Sequence, residues 1–188
     1  MGELIGALIL GKMADKYGRR PVFLFAAVTI CVSGIATAFA NDYISLLLFR
    51  FGVGFGVGGL TVPFDIFAEL LPLSLRGKYL LVINYFWTAG SLLVTMFAYF
   101  TIGSGKQESW RSFVILCTIP CFVSVIMLYI YVPESPRWLV SQGKNEEAML
   151  ILRSAAAVNG KQHVYDEDIV LKEEEVESSS FTELLTVS

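Results

Sequence analysis

The sequence has 188 residues, of which 55% are hydrophobic, and it carries a formal net charge of −3. A soluble domain has about 45–50% apolar residues. Here the mean hydropathy is +0.63 and the apolar residues form long uncharged blocks, so too little polar sequence remains to cover a soluble core. Nucleic acid is excluded as a partner, because no basic and aromatic surface is arranged to follow phosphates.

Five hydrophobic segments follow one another along the chain. The first ends near Met13 and is too short to cross a bilayer, which takes roughly 20 helical residues. We therefore expect it to continue a helix that begins before Met1. The pattern predicts an all-α membrane protein with about five transmembrane helices, all within residues 1–140. The four longer segments cover residues 22–40, 44–71, 79–102 and 110–132.

Basic residues are concentrated on one side of the predicted membrane. Residues 12–20, the link at 76–78 and Arg137 lie on that side, whereas the turn at 41–43 and the loop at 106–111 lie on the other. Short loops rich in Lys and Arg stay in the cytoplasm. We therefore expect the basic side, and the tail that follows it, to be cytoplasmic.

The polar C-terminal part divides into two pieces. Residues 141–160 are predicted to form a cytoplasmic amphipathic helix, because apolar and charged side chains recur there with helical spacing. Residues 161–188 are rich in acids and serines and are predicted to be a mobile acidic tail.

A motif with fixed spacing between its residues lies between the first two segments. Gly11, Asp15, Gly18, Arg19 and Arg20 follow the pattern G-x-x-x-D-x-x-G-R-R in a short loop. Gly18 permits a turn at the membrane face. Asp15 is placed to accept hydrogen bonds from a neighbouring helix N-terminus or an arginine. The paired arginines are expected to bind lipid headgroups or to pair with acids.

A charged residue also stands inside the third apolar segment. An arginine in lipid costs at least about 2.5 kcal/mol, so Arg50 is expected to face the interior of the bundle. The alternative is that its side chain reaches the headgroups near the outer face. Small residues four apart allow helices to approach closely. The glycines that follow Arg50 have this spacing, at positions 52, 54, 56, 58 and 59.

Two further elements lie at the basic side. Glu69 and Arg76 are seven residues apart, in an E-x6-R pattern, and residues 133–137 read P-E-S-P-R. The second element brings Glu134 and Arg137 to the end of the last long apolar segment.

Together these motifs resemble helices two to six of the major facilitator superfamily, and specifically its sugar-porter-like and synaptic-vesicle-2-related members. The resemblance implies a partial N-terminal bundle, with the first helix and the second half missing. It also implies a cytoplasmic charge network that closes one state of the transporter and parts in the other. The alternative is a static network that only holds the bundle together. The network would comprise Gly11, Asp15, Gly18, Arg19, Arg20, Glu69, Arg76, Glu134 and Arg137.

Polar and aromatic residues within the helices are candidate contacts for a solute. Glu3 is a candidate protonatable group, although its place near the start of the chain is equally consistent with a solvated side chain. Asn84 and Trp87 share a helix face, and packing is the alternative explanation for both. The candidate set is Glu3, Thr61, Asp65, Asn84, Tyr85 and Trp87.

We predict transport of a small organic solute, such as a sugar, organic ion or carboxylate, by alternating access as part of a longer transporter. The segment 79–102 lacks the G-P-x-x-G-G pattern of drug–proton antiporters and has Trp87-Thr88-Ala89-Gly90 instead, which favours symport or facilitated diffusion, with protons as a candidate coupling ion. Membrane lipid and the missing C-terminal half, or a related transporter, are the other expected partners. No enzyme activity, cofactor or metal is implied. The alternatives are a truncated membrane interaction protein that does not transport, and an incomplete gene model.

Overall fold

The computed structural model describes residues 1–71, 73–102 and 109–159, and all of the secondary structure in these ranges is α-helical. The predicted all-α class is therefore confirmed. The predicted acidic tail, 161–188, lies outside the described residues. The helices are α1 Gly2–Tyr17, α2 Arg19–Ala38, α3 Tyr43–Gly58, α4 Thr61–Leu70, α5 Leu73–Ile102, α6 Ser109–Tyr131, α7 Pro136–Ser141 and α8 Asn145–Val158.

Four helical stretches in the described ranges are long and apolar enough to cross a membrane. They correspond to the four long apolar segments of the sequence, whereas α1 has 16 residues and is shorter than a span. The chain is thus an integral multi-pass membrane protein. The four stretches are Arg19–Ala38, Tyr43–Ala68, Gly77–Ile102 and Trp110–Tyr131.

The third predicted segment is interrupted, which the sequence analysis did not anticipate. It divides into α3 and α4 at Gly59 and Leu60, where the amides of both residues bond to carbonyls three positions back. Pro63 explains the break, because it has no N–H to donate to the Gly59 carbonyl and its ring collides with that residue in a regular helix. Two consecutive glycines make the tighter turn accessible.

Two predicted boundaries were wrong, and one short helix was not predicted. Residues 12–17 belong to α1, so the turn before α2 is made by Gly18 alone, and the link at 76–78 belongs to α5. Only one residue in 73–78, a glycine, has a low helix propensity. The helix α5 therefore begins in this polar link, before its apolar part. A short helix, α7, follows α6; Ser135 caps it and Pro136 occupies its first turn.

The glycines of α3 place this helix between two others. A Cβ on Gly56 would lie 2.8 Å from the Ala26 carbonyl of α2, and one on Gly58 would meet the α1 backbone at Ala7. Gly52 shares the α2 side with Gly56, and Gly54 shares the α1 side with Gly58, so each pair four residues apart serves one of two interfaces on opposite sides of the helix. The core beside α3 contains Leu10, Ala14, Val22, Ala26, Val62 and Ile66.

Helix α6 packs along α2, and α5 packs against α6 and α4 at the edge of the bundle. At one end of the bundle, Arg111 at the start of α6 donates to the Asn41 side-chain oxygen at 3.2 Å. The other end carries residues 12–20 and 133–137, and we call it the basic face. The charge motifs of the sequence meet there.

Candidate functional site

The basic face is built where four helix ends come together. Helix α1 ends at Tyr17 and α2 begins at Arg19, while α6 ends at Tyr131 and α7 begins at Pro136. Each helix end leaves backbone donors or acceptors without a partner inside its own helix. The residues between these ends supply the missing partners.

Glu134 caps the N-terminus of α2. Its Oε1 accepts hydrogen bonds from the amides of Arg19 at 2.9 Å and Arg20 at 3.0 Å, and also from the amide of Ser135 at 3.0 Å. A carboxylate at this position also faces the positive end of the helix dipole. Hydrogen bonds to a charged group contribute about 1.5–3 kcal/mol each, so this carboxylate is a strong anchor between distant parts of the chain.

Gly18 makes this approach possible. Its φ of +106° is a conformation that residues with a side chain rarely adopt. A Cβ at this position would lie 2.6 Å from Oε2 of Glu134. The glycine of the motif is therefore required both for the turn and for the space that the carboxylate occupies.

Arg20 makes the reciprocal contact to α6. Its Nη2 donates to the backbone carbonyl of Tyr129 at 2.7 Å. The helical donor for that carbonyl would be residue 133, which is a proline and has no N–H. The guanidinium thus satisfies an orphan carbonyl at the negative end of α6, while Glu134 satisfies orphan amides at the positive end of α2.

Asp15 takes part differently from the prediction. Its backbone carbonyl accepts a hydrogen bond from the indole N–H of Trp138 at 2.9 Å, which ties α1 to α7. The side chain is exposed, and among the described residues no hydrogen bond or ion pair involves its carboxylate. The acid that caps a neighbouring helix is Glu134, because the fold brings it, rather than Asp15, to the start of α2.

The other predicted members of the charge network are placed as follows. Arg137 is exposed in the first turn of α7, and Gly11 lies in α1 with nothing within 4 Å of the place that a Cβ would occupy. The side chains of Glu69 and Arg76 lie outside the described part of the structure. The face therefore brings together Gly18, Arg19, Arg20, Glu134 and the Asp15 backbone.

Arg50 lies in the second turn of α3, on the half of the bundle away from the basic face. Its side chain is exposed, so the described helices do not enclose it as the sequence analysis had expected.

The six candidate solute contacts are all exposed in the structure. Thr61 and Asp65 are one turn apart on α4, and Asn84, Tyr85 and Trp87 lie on the neighbouring helix α5. Glu3 lies in the first turn of α1, beside the glycines of α3. Among the described residues, no hydrogen bond or ring contact joins any two of the six.

A crevice of about 470 Å³ opens between α2, α4, α5 and α6 near the basic face. Its walls are almost wholly apolar, and none of the six candidate residues lines it. Recognition of a sugar requires several hydrogen-bonding groups, so this crevice is not a sugar site. Its lining residues include Phe23, Phe64, Phe67, Phe86 and Tyr131.

Sequence reasoning missed three participants of the basic face: Ser135, Trp138 and the Tyr129 carbonyl. The signal for Ser135 was present, since a serine followed by proline is a common helix start. No sequence signal identifies a backbone carbonyl or an indole N–H as a partner across more than 100 residues.

Comparison with known proteins places these features in a family. The family model described as "Sugar (and other) transporter" matches residues 1–187. Human synaptic vesicle glycoprotein 2B is 35% identical over 170 residues, which are 85% of this chain and 25% of that protein. Solute carrier family 22 member 3 of Rattus norvegicus is 35% identical over 188 residues, which are 98% of this chain and 33% of that protein.

Solved structures are similar as well. The proton:xylose symporter XylE of the major facilitator superfamily matches with a TM-score of 0.73 and 31% identity, over 88% of this chain and 41% of that one. The partially occluded inward-open form of XylE from E. coli gives a TM-score of 0.72 at 30% identity, over 88% of this chain and 46% of that one.

The chain spans about a quarter to a third of the length of these curated relatives. The family match covers nearly every residue, and the structural match confirms the predicted partial N-terminal helical bundle. The chain therefore belongs to the sugar (and other) transporter family, within the major facilitator superfamily.

Proposed function

We propose that this chain supplies part of the N-terminal half of a transporter that moves a small organic solute across a membrane by alternating access. The observation that carries the proposal is the assembly of four helix ends at the basic face, on a bundle that matches transporters of known structure. Alternating access requires rigid bundles with contacts at one face that form and part.

The basic face is proposed to be cytoplasmic, because it concentrates lysines and arginines between spans. Within it, Asp15 and Arg137 are suited to contacts that form and part, since both side chains are exposed. Glu69 and Arg76, the acid and the arginine of the E-x6-R pattern, are proposed to take part in the same contacts. Arg19 and Arg20 are proposed to meet the headgroups of membrane lipid at this face.

The solute is proposed to contact α1, α4 and α5, where the exposed polar side chains lie. Asp65 of α4 and Glu3 of α1 are candidates for binding a cation or a proton, and Asn84 and Trp87 for binding a polar ring. The relatives' names mention organic cations, carnitine, organic anions and xylose. These four classes define the panel of solutes to test, with a proton gradient as the candidate driving force.

A chimera tests this function. The chain replaces the matching third of the rat solute carrier family 22 member 3, and the chimera is reconstituted in proteoliposomes with each labelled solute. We expect accumulation of at least one solute above empty vesicles. Asp15→Asn, which removes the exposed carboxylate, should lower uptake at least tenfold, which corresponds to about 1.4 kcal/mol. Asp42→Asn, at the opposite face, is the matched control and should leave uptake within about twofold.

Two results would contradict the proposal. One is a chimera that is folded and inserted but accumulates none of the four solutes. The other is a wild-type and an Asp15→Asn chimera with equal uptake, which would remove Asp15 from the conformational switch. Co-purification of the isolated chain with a full-length transporter, without uptake by the chimera, would instead favour an interaction protein.

A further inference from the structure

We propose that Glu134 and Arg20 are positioning residues that join α2 to α6 through main-chain bonds, and that this contact is not one of the ion pairs that part during transport. The inference deepens the proposed function and rests on it only for its consequence in transport. We call the contact the helix-end clamp; it consists of Gly18, Arg20, Glu134 and the Tyr129 carbonyl.

The first argument concerns the partners of Glu134. One carboxylate oxygen accepts from three backbone amides, at 2.9 Å, 3.0 Å and 3.0 Å. Two of these amides belong to the first two residues of α2, which have no acceptor within their own helix. The bonds to the α2 amides therefore do not depend on the charge of an arginine side chain.

The second argument concerns what opening would expose. Removing Glu134 from α2 leaves the amides of Arg19 and Arg20 without a partner, and moving Arg20 leaves the Tyr129 carbonyl facing a proline at the end of α6. The bonds from Glu134 to the α2 amides are partly buried, so water has limited access to those amides, whereas the bond from Arg20 to the Tyr129 carbonyl is exposed. We would expect a contact that parts in every transport cycle to expose charged side chains when it opens, and not backbone amides and carbonyls.

The third argument is that α2 and α6 are joined at more than one level. At the far end, Arg111 of α6 donates to the Asn41 side chain just beyond α2, at 3.2 Å. Midway, a Cβ on Gly34 would lie 3.5 Å from the Thr118 hydroxyl, which is ordinary contact. With the clamp, α2 and α6 are joined at both ends and are also in contact midway along their length.

Residue-resolved amide hydrogen exchange on the full chain in detergent tests the clamp without any transport assay. In the wild-type chain, the amides of Arg19 and Arg20 should be protected, although amides in a first helical turn normally exchange fast. Glu134→Ala should accelerate both by about tenfold or more, and the isosteric Glu134→Gln by less, because a neutral acceptor remains. Glu147→Gln, which removes an exposed acid from α8, is the control and should change neither rate.

Arginine variants separate the clamp from an ion pair. Arg19→Gln should leave the exchange of these two amides within about twofold of wild type, because Glu134 still accepts from the backbone. Arg20→Gln removes the bond to the Tyr129 carbonyl and should accelerate exchange by less than Glu134→Ala, since the bonds from Glu134 to both amides remain. The inference is wrong if either arginine variant accelerates exchange as much as Glu134→Ala, or if the wild-type amides are already unprotected. If Glu134→Ala does not fold, the comparison of Glu134→Gln with the arginine variants decides the same question.

Transport supplies a separate readout. In the transporting chimera, Glu134→Gln should lower kcat of uptake at an unchanged KM, since no solute contact is altered. A raised KM at an unchanged kcat would place Glu134 at the solute instead. If the chimera does not transport while the two amides remain protected by Glu134, the proposed function fails and the clamp stands.

Discussion

At the scale of single residues, two glycines of the same motif have opposite environments. Gly18 has φ +106° and lies against Glu134, whereas Gly11 is helical and has open space where a Cβ would be placed. The motif pattern treats them alike, and only the fold distinguishes them. This difference can be measured.

Gly18→Ala is expected to destabilise the chain by roughly 1–3 kcal/mol, the usual cost of a side chain in a sparsely populated backbone conformation. Gly11→Ala should be neutral or stabilising by up to about 1 kcal/mol, because alanine favours a helix interior. Thermal unfolding in detergent compares the two variants. Equal midpoints for Gly18→Ala and wild type would show that the turn at residue 18 does not have the described geometry.

Asp42 gives a second prediction, based on pH. Hydrogen bonds from the backbone amide and the hydroxyl of Ser45 hold the pKa of Asp42 below its ordinary value of 3.8. A lowered pKa means that the stabilising contribution is complete above the ordinary pKa and is lost as pH falls through the folded-state value. The unfolding midpoint should therefore drop between pH 5 and acid conditions, and part of this drop should be absent in Asp42→Asn.

The matched comparison is Asp42→Ala, which removes the cap of α3 entirely. It should lower the midpoint near pH 6, where Asp42→Asn stays close to wild type because asparagine is also a good cap. If wild type and Asp42→Asn show the same acid dependence, the carboxylate at this cap does not contribute to stability.

At the scale of helices, the close approach of α1 to α3 depends on Gly58. A Cβ there would meet the α1 backbone and lie 2.7 Å from the carbonyl carbon of Gly6. Gly58→Ala should therefore separate the helices and cost about 1–3 kcal/mol. Gly90→Ala in α5, which has open space, is the control and should not destabilise. An unchanged unfolding midpoint for Gly58→Ala would contradict this packing.

The sequence predicted the helices better than their ends. Apolar blocks predicted all four spans, and glycine spacing predicted close packing, because both depend on local pattern. The break at Gly59 was missed, since the long apolar block of residues 44–71 masked the effect of Pro63 on a preceding glycine. Helix α7 was missed because six residues are too few to show periodicity.

The same limit applies to the basic face. The motifs correctly drew attention to the regions around residues 18–20 and 133–137, which the structure brings into contact. The partners could not be derived, because Glu134 binds amides 115 and 114 positions away and ion-pair reasoning considers side chains only. The charge network that includes Asp15 and Arg137 stays a prediction.

At the scale of the whole molecule, every proposal depends on how the bundle lies in the membrane. Four spans and a basic face require that residues 12 and 145 lie on one side and residue 43 on the other. We propose that the first side is cytoplasmic, because lysine and arginine are concentrated there. The orientation of this chain therefore determines which face opens to which compartment.

Cysteine accessibility measures this orientation most directly. The native Cys31, Cys117 and Cys121 are replaced by serine, and single cysteines are introduced by Lys12→Cys, Tyr43→Cys or Asn145→Cys. Sealed vesicles with the cytoplasmic face inward are treated with a membrane-impermeant maleimide. We predict labelling of the Tyr43→Cys chain in sealed vesicles, and labelling of the other two only after permeabilisation. Labelling of Lys12→Cys or Asn145→Cys in sealed vesicles, or recovery of the chain in the soluble fraction without detergent, would contradict the account.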